Sequence, residues 1–96
     1  LTLTLYVHTL APTITWAHDG YDAGDLITAA YQLGIPHPSG YPTYMLLARL
    51  FILLPFGDIA YRVNLLSAVS SATAVALLGC AAAKQLGGGA GPLWRR

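Results

Sequence analysis

The sequence predicts a mainly α chain: membrane-embedded helices joined by an extracytoplasmic loop that carries short juxtamembrane helices. Three observations lead there. The chain of 96 residues is 55% hydrophobic and only 9% charged, against roughly a quarter charged in soluble domains. So small a chain exposes much of its surface, and so few charges cannot cover it. Residues 63–83 run without a charge between Arg62 and Lys84, enough to cross a bilayer, which needs about 20 residues. Finally, three of the four acidic residues, Asp19, Asp22 and Asp25, fall in the one run from His18 to Asp25. The net charge of +1 and the lack of a basic cluster interleaved with aromatics argue against nucleic acid as a partner. Cys80, the single cysteine, excludes an internal disulfide and a cysteine-based zinc site.

Residues 1–12 (LTLTLYVHTLAP) are apolar and rich in β-branched side chains. Alone they read as a strand; beside a membrane span they read as the end of a first transmembrane helix whose beginning is cut off, stopped by Pro12. No basic region precedes an apolar core, so no signal peptide is read. His8 is a helix-face residue. Residues 13–61 form the outward loop, with short helices expected near 22–33 and 43–54. Asp22 is placed to cap the first of these, with Asp25 three residues later as a variant capping box. Leu26, Ile27, Ala30 and Leu33 make an apolar stripe at helical spacing. Gly34 is placed to end the helix, with Pro36 to prevent its continuation. Residues 35–42 hold three prolines and a glycine and predict a stiff turn. The second short helix is too short to span and carries Arg49 in its middle, which suits an interfacial or re-entrant position. The charge-free run predicts a transmembrane helix over 62–84. Ala68, Ala72 and Ala76, with Ser67 and Ser71, give it a close-packing face for helices lying outside this chain. Residues 85–96 are glycine-rich and predict a flexible tail. Lys84, Arg95 and Arg96 outweigh Arg62, so the positive-inside rule puts the C-terminus in the cytoplasm and the acidic loop outside a cell membrane.

Chemistry concentrates in the loop. A carboxylate at a membrane surface can act as general base to a hydroxyl, or hold a divalent cation against a phosphate. Asp22, Asp25 and Asp19 are the candidates, and a capping aspartate has the rigidity a base requires. His18, Asp19, Asp22, Asp25 and His37 contain no pair at helical metal-ligand spacing, so no dedicated metal site is predicted and a divalent cation stays optional. Ser39 lacks the glycine frame of a nucleophile elbow and reads as a turn residue. Arg49 and Arg62, the basic residues of the outward half, suit bidentate contact with a phosphate or interfacial anchoring.

A resemblance is carried by motifs in order: Leu10–Trp16, Asp22–Tyr31, Leu33–Pro42 with its His37-Pro38-Ser39-Gly40-Tyr41-Pro42 turn, Leu53–Gly57 and Tyr61–Ala68. Together they resemble the opening of a bacterial multi-spanning membrane family related to the protein O-mannosyltransferases, of the GT-C class, with a eukaryotic relative that mannosylates receptor ectodomains. The resemblance implies a partial GT-C fold and a multi-pass parent enzyme. That parent would move a mannose-like sugar from a polyprenyl-phosphate donor to a hydroxyl of a protein or glycan acceptor, among membrane lipid. It places the catalytic base at Asp22, with Asp25 where the family usually has Glu and Asp19 as the rival. His37 and Tyr41 belong to the turn that resembles the family's His-Pro-Pro, Ser39 standing for the second proline, and join Arg49 and Arg62 as substrate-binding candidates, Arg62 facing the lipid phosphate. Two other readings fit the same residues: a non-catalytic membrane scaffold, and a transporter module that handles the polyprenyl lipid.

Overall fold

A computed structural model describes residues 1–15, 20 and 22–87. Four helices follow in order: α1 (Thr2–Thr9), α2 (Ala23–Gln32), α3 (Pro42–Ile52) and α4 (Ile59–Gly87). No strand occurs among the described residues, so the helical alternative holds for the Leu/Thr-rich opening. There Thr9 Oγ1 donates to the Leu5 carbonyl at 3.0 Å. Leu10 then turns extended (φ −66°, ψ 134°), ahead of Ala11-Pro12, where proline disfavours helix in the residue before it.

α2, α3 and the first turns of α4 share one core. It joins Ile27, Ala29 and Ala30 from α2, Met45, Ala48 and Ile52 from α3, and Ala60, Val63 and Leu66 from α4. Ala30 and Ala48 are both fully buried; their small side chains let α2 and α3 come close. Leu33 was expected in this stripe but is exposed, and Ala29 is buried in its place. The reason is that α2 ends one residue early. Leu33 itself takes the left-handed conformation (φ 54°), its N–H bonded to the Ala29 carbonyl, where Gly34 was expected to end the helix. Gly34 N–H donates to the same carbonyl at 2.8 Å.

α4 is longer than the predicted span and begins earlier. Asp58 Oδ1 accepts the Ala60 N–H at 2.7 Å, the contact of a helix N-cap. Arg62, inside the first turns, then fastens the preceding bend. Its Nε donates to the Phe56 carbonyl (2.8 Å), Nη1 to Ile52 (2.7 Å) and Nη2 to Gly57 (2.9 Å). Gly57 is needed there, since φ is +71° and an added Cβ would stand 2.8 Å from Tyr61 Cδ1.

Beyond Ala72 every described residue of α4 is exposed. With 29 residues it is the one described helix long and apolar enough to cross a membrane. α1 packs against α4 and runs antiparallel to it. Its start faces a hollow shared with Ala72, Ala76 and Cys80, and its end one shared with Asn64, Ser67 and Ser71. Asn64 Nδ2 reaches the Ala11 carbonyl at 3.4 Å. The small-residue face, expected to await helices from outside the chain, is therefore partly taken by α1.

Candidate functional site

The stiff turn before α3 closes with the Gly40 N–H donating to the His37 carbonyl at 3.0 Å, Gly40 having φ +83°. This presents His37 to the first turn of α2. Asp25 Oδ2 accepts two hydrogen bonds there: from the His37 backbone N–H at 3.0 Å and from ring Nδ1 at 2.8 Å. The other ring nitrogen, Nε2, lies 3.5 Å from the Tyr41 hydroxyl, with the two rings edge to face at 5.4 Å. Tyr41 occupies the left-handed region (φ 44°, ψ 53°) as the N-cap of α3. That is an uncommon backbone for a bulky residue, and such outliers gather at functional sites.

The structure thus brings together three of the predicted site residues, Asp25, His37 and Tyr41. The backbone N–H of His37, with its ring N–H second, holds the Asp25 carboxyl below its ordinary value; both favour the charged form. The carboxylate stays ionised, and an ionised carboxylate only accepts. His37 Nδ1 therefore carries the ring hydrogen in the neutral imidazole, and Nε2 offers the lone pair.

Asp22 stands at the N-cap of α2, as expected, but its side chain makes no capping hydrogen bond. Nor does Asp25 close a capping box, because its carboxylate is turned to His37. The expected box is therefore not formed, and the Asp22 carboxylate is exposed at the helix start. Asp19 and His18 lie outside the described residues; Gly20, which follows them, has φ 60°.

The two arginines are engaged elsewhere. Arg49 Nη1 donates to the Tyr31 carbonyl in the last turn of α2, and its guanidinium lies 5.8 Å from the Tyr31 ring centre. Arg62 binds the three carbonyls of the α3–α4 bend described above. Among the described residues, no three His, Cys, Asp or Glu side chains gather as a metal-ligand set. Sequence reasoning missed Asp58, Asn64 and Tyr31. Asp58 had a readable signal, an aspartate directly before an apolar helical run.

An apolar hollow of about 380 Å³ opens beside the turn, lined by Leu33, Ile35, Gly40, Pro42, Met45 and Leu46. Gly40 and Pro42 are the two chain neighbours of Tyr41, so the hollow and the Asp25–His37–Tyr41 cluster share one edge.

Comparison with known proteins gives a family match over residues 22–88, to the N-terminal domain of the protein O-mannosyl-transferase TMEM260. A curated mouse relative named protein O-mannosyl-transferase TMEM260 is 58% identical over 60 residues, 62% of this chain and 8% of the relative. One from Dictyostelium discoideum, of the same name, is 32% identical over 68 residues, 68% of this chain and 8% of the relative. The chain spans less than a tenth of the length of these relatives. Both are eukaryotic, so the bacterial side of the expected resemblance is not borne out. No solved structure matches.

Proposed function

The chain belongs to the family of the TMEM260 protein O-mannosyl-transferase N-terminal domain, and from that premise we propose that it supplies the catalytic loop of a membrane glycosyltransferase of the GT-C class. The parent transfers a mannose-like sugar from a polyprenyl-phosphate donor to a hydroxyl of a protein acceptor. Asp22 is the base. It takes the proton of the acceptor hydroxyl as the oxygen attacks the anomeric carbon, the bond from that carbon to the phosphate oxygen breaks, and the lipid phosphate leaves with the electron pair. Attack from the side opposite the leaving group inverts the anomeric centre.

The observation that supports this assignment most is the contrast between two aspartates one helical turn apart. Asp25 is tied to His37, whereas Asp22 sits at the start of α2 with no capping bond to its side chain. With no capping bond to hold it, the carboxylate has its oxygens available to take the proton of an acceptor hydroxyl. Asp19 is the rival base, and Asp25 with His37 forms the wall of the site beside Asp22. Arg49 and Arg62 enter the proposal as residues that set the frame, because their guanidinium groups are bonded to backbone carbonyls. The loop faces outward and α4 crosses the membrane of a multi-pass parent.

The test is Asp22→Asn in the full-length parent, with mannose transfer to an acceptor peptide as the readout. A general base contributes about 100- to 10,000-fold, so transfer should fall by at least the lower of these factors. Transfer at the parental rate removes Asp22 as the base. Loss of transfer after Asp19→Asn, with Asp22→Asn active, would move the role to Asp19.

A further inference from the structure

We propose that Nε2 of His37 accepts a hydrogen bond from a substrate hydroxyl, and that Asp25 is the positioning residue that turns this nitrogen toward the ligand. This deepens the glycosyltransferase reading and rests on it. Asp25 Oδ2 takes both the backbone N–H and the Nδ1–H of His37, which fixes at once where the ring sits and which nitrogen is free. The His37 side chain is 38% exposed, so a ligand can reach it. Among the described residues the partner of Nε2, the Tyr41 hydroxyl at 3.5 Å, is at the outer limit of a hydrogen bond. A ligand hydroxyl can bridge the two from the side, donating to Nε2 and accepting from the Tyr41 O–H, without breaking a strong contact. The apolar hollow next to Tyr41 gives the carbon skeleton of such a ligand a surface to lie on.

A neutral hydroxyl fits this cluster better than a phosphate. Among the described residues, the groups that face His37 are the Asp25 carboxylate from α2 and the Tyr41 hydroxyl at the head of α3, and no arginine or lysine is hydrogen-bonded to it. An anion placed at Nε2 would approach a carboxylate that stays ionised. Two substrates carry hydroxyls, the sugar of the donor and the acceptor chain, and the same chemistry serves either.

The experiment uses the full-length parent with polyprenyl-phosphate mannose and an acceptor peptide, measuring both KM values for the parent, His37→Asn, His37→Gln and Tyr41→Phe. Asparagine keeps a donor toward Asp25 but has nothing at the Nε2 position; glutamine can place its amide oxygen there. Loss of one such hydrogen bond should raise one KM about tenfold in His37→Asn, more than kcat falls, with partial rescue in His37→Gln. A raised donor KM assigns the sugar hydroxyl, a raised acceptor KM the acceptor hydroxyl. Tyr41→Phe, which removes the second hydroxyl contact and keeps the ring, should raise the same KM. Unchanged KM values in His37→Asn overturn the proposal, as does a raised KM that His37→Gln leaves without any rescue. Should His37→Asn fail to fold, Tyr41→Phe decides, and unchanged KM values there overturn the proposal. Asp22→Asn separates this inference from its premise: if transfer survives that change while the His37 effects stand, the base assignment fails and the hydroxyl site remains.

Discussion

Two demands compete for the Asp25 carboxylate, and the residue scale shows which one wins. At the third position of α2 it could reach back to the N-cap backbone, as a capping box does. Instead it takes two N–H groups of His37 from the turn twelve residues on, two donors where the box would offer one. Its carboxyl is lowered by these bonds, so the sign of the pH effect follows. The contribution to stability is complete above the carboxyl value of the unfolded chain and is lost as pH falls through the lower, folded value. Acid titration of the folded parent should therefore show a step below about pH 4 that Asp25→Asn removes; an identical acid profile in the variant would contradict the pairing. Gly57 gives a second residue-scale test. With φ at +71° and Tyr61 Cδ1 2.8 Å from the place of a Cβ, Gly57→Ala should cost roughly 1–2 kcal/mol for the left-handed backbone alone. It would be read as lowered thermal stability. The identities of Asp22, Asp25 and His37 as site candidates were legible because charged and imidazole groups are scarce in this chain. Which of them pair was not, since that depends on how the turn at Gly40 carries the His37 N–H over the start of α2.

At the scale of elements, helix type and order were legible, and the boundaries were displaced for physical reasons. α2 stops at Gln32 because Leu33 accepts the left-handed conformation, a place where sequence rules favour glycine. α4 starts at Ile59, before Arg62, because the arginine is not a flank of the span. It is a brace, donating from three nitrogens to Ile52, Phe56 and Gly57. A window that looks for a charge-free run begins after Arg62 and misses the Asp58 cap. Arg62→Lys keeps the charge but cannot span three carbonyls with a planar fork. It should lower stability by about 2 kcal/mol, seen as an earlier thermal transition, with the change in transfer rate following from the looser α3–α4 bend. An unaltered transition would mean that these three bonds carry no weight.

The whole molecule extends over 58 × 30 × 28 Å and divides its work along the long axis. One end holds the packed core of α2, α3 and the start of α4; the other is α4 exposed on nearly all sides, with α1 laid antiparallel along part of it. That distribution suits a chain whose core end stands outside a bilayer and whose long helix lies within it. A composition 55% apolar foretold a helix long and apolar enough to cross a membrane. The contact of α1 with the Ala72–Ala76 face was not legible, because small-residue spacing marks a packing face without saying which helix fills it. α2 and α3 buttress each other through Ala30 and Ala48, so the start of α2, where Asp22 sits, is held by the core and not by a free loop.

Under the proposed function, the loop performs chemistry at Asp22 as well as binding. Donor binding and mannose transfer measured side by side in full-length parent and Asp22→Asn test it most directly. The variant should still bind polyprenyl-phosphate mannose while transfer falls by at least about 100-fold. Transfer at the parental rate in the variant would contradict it.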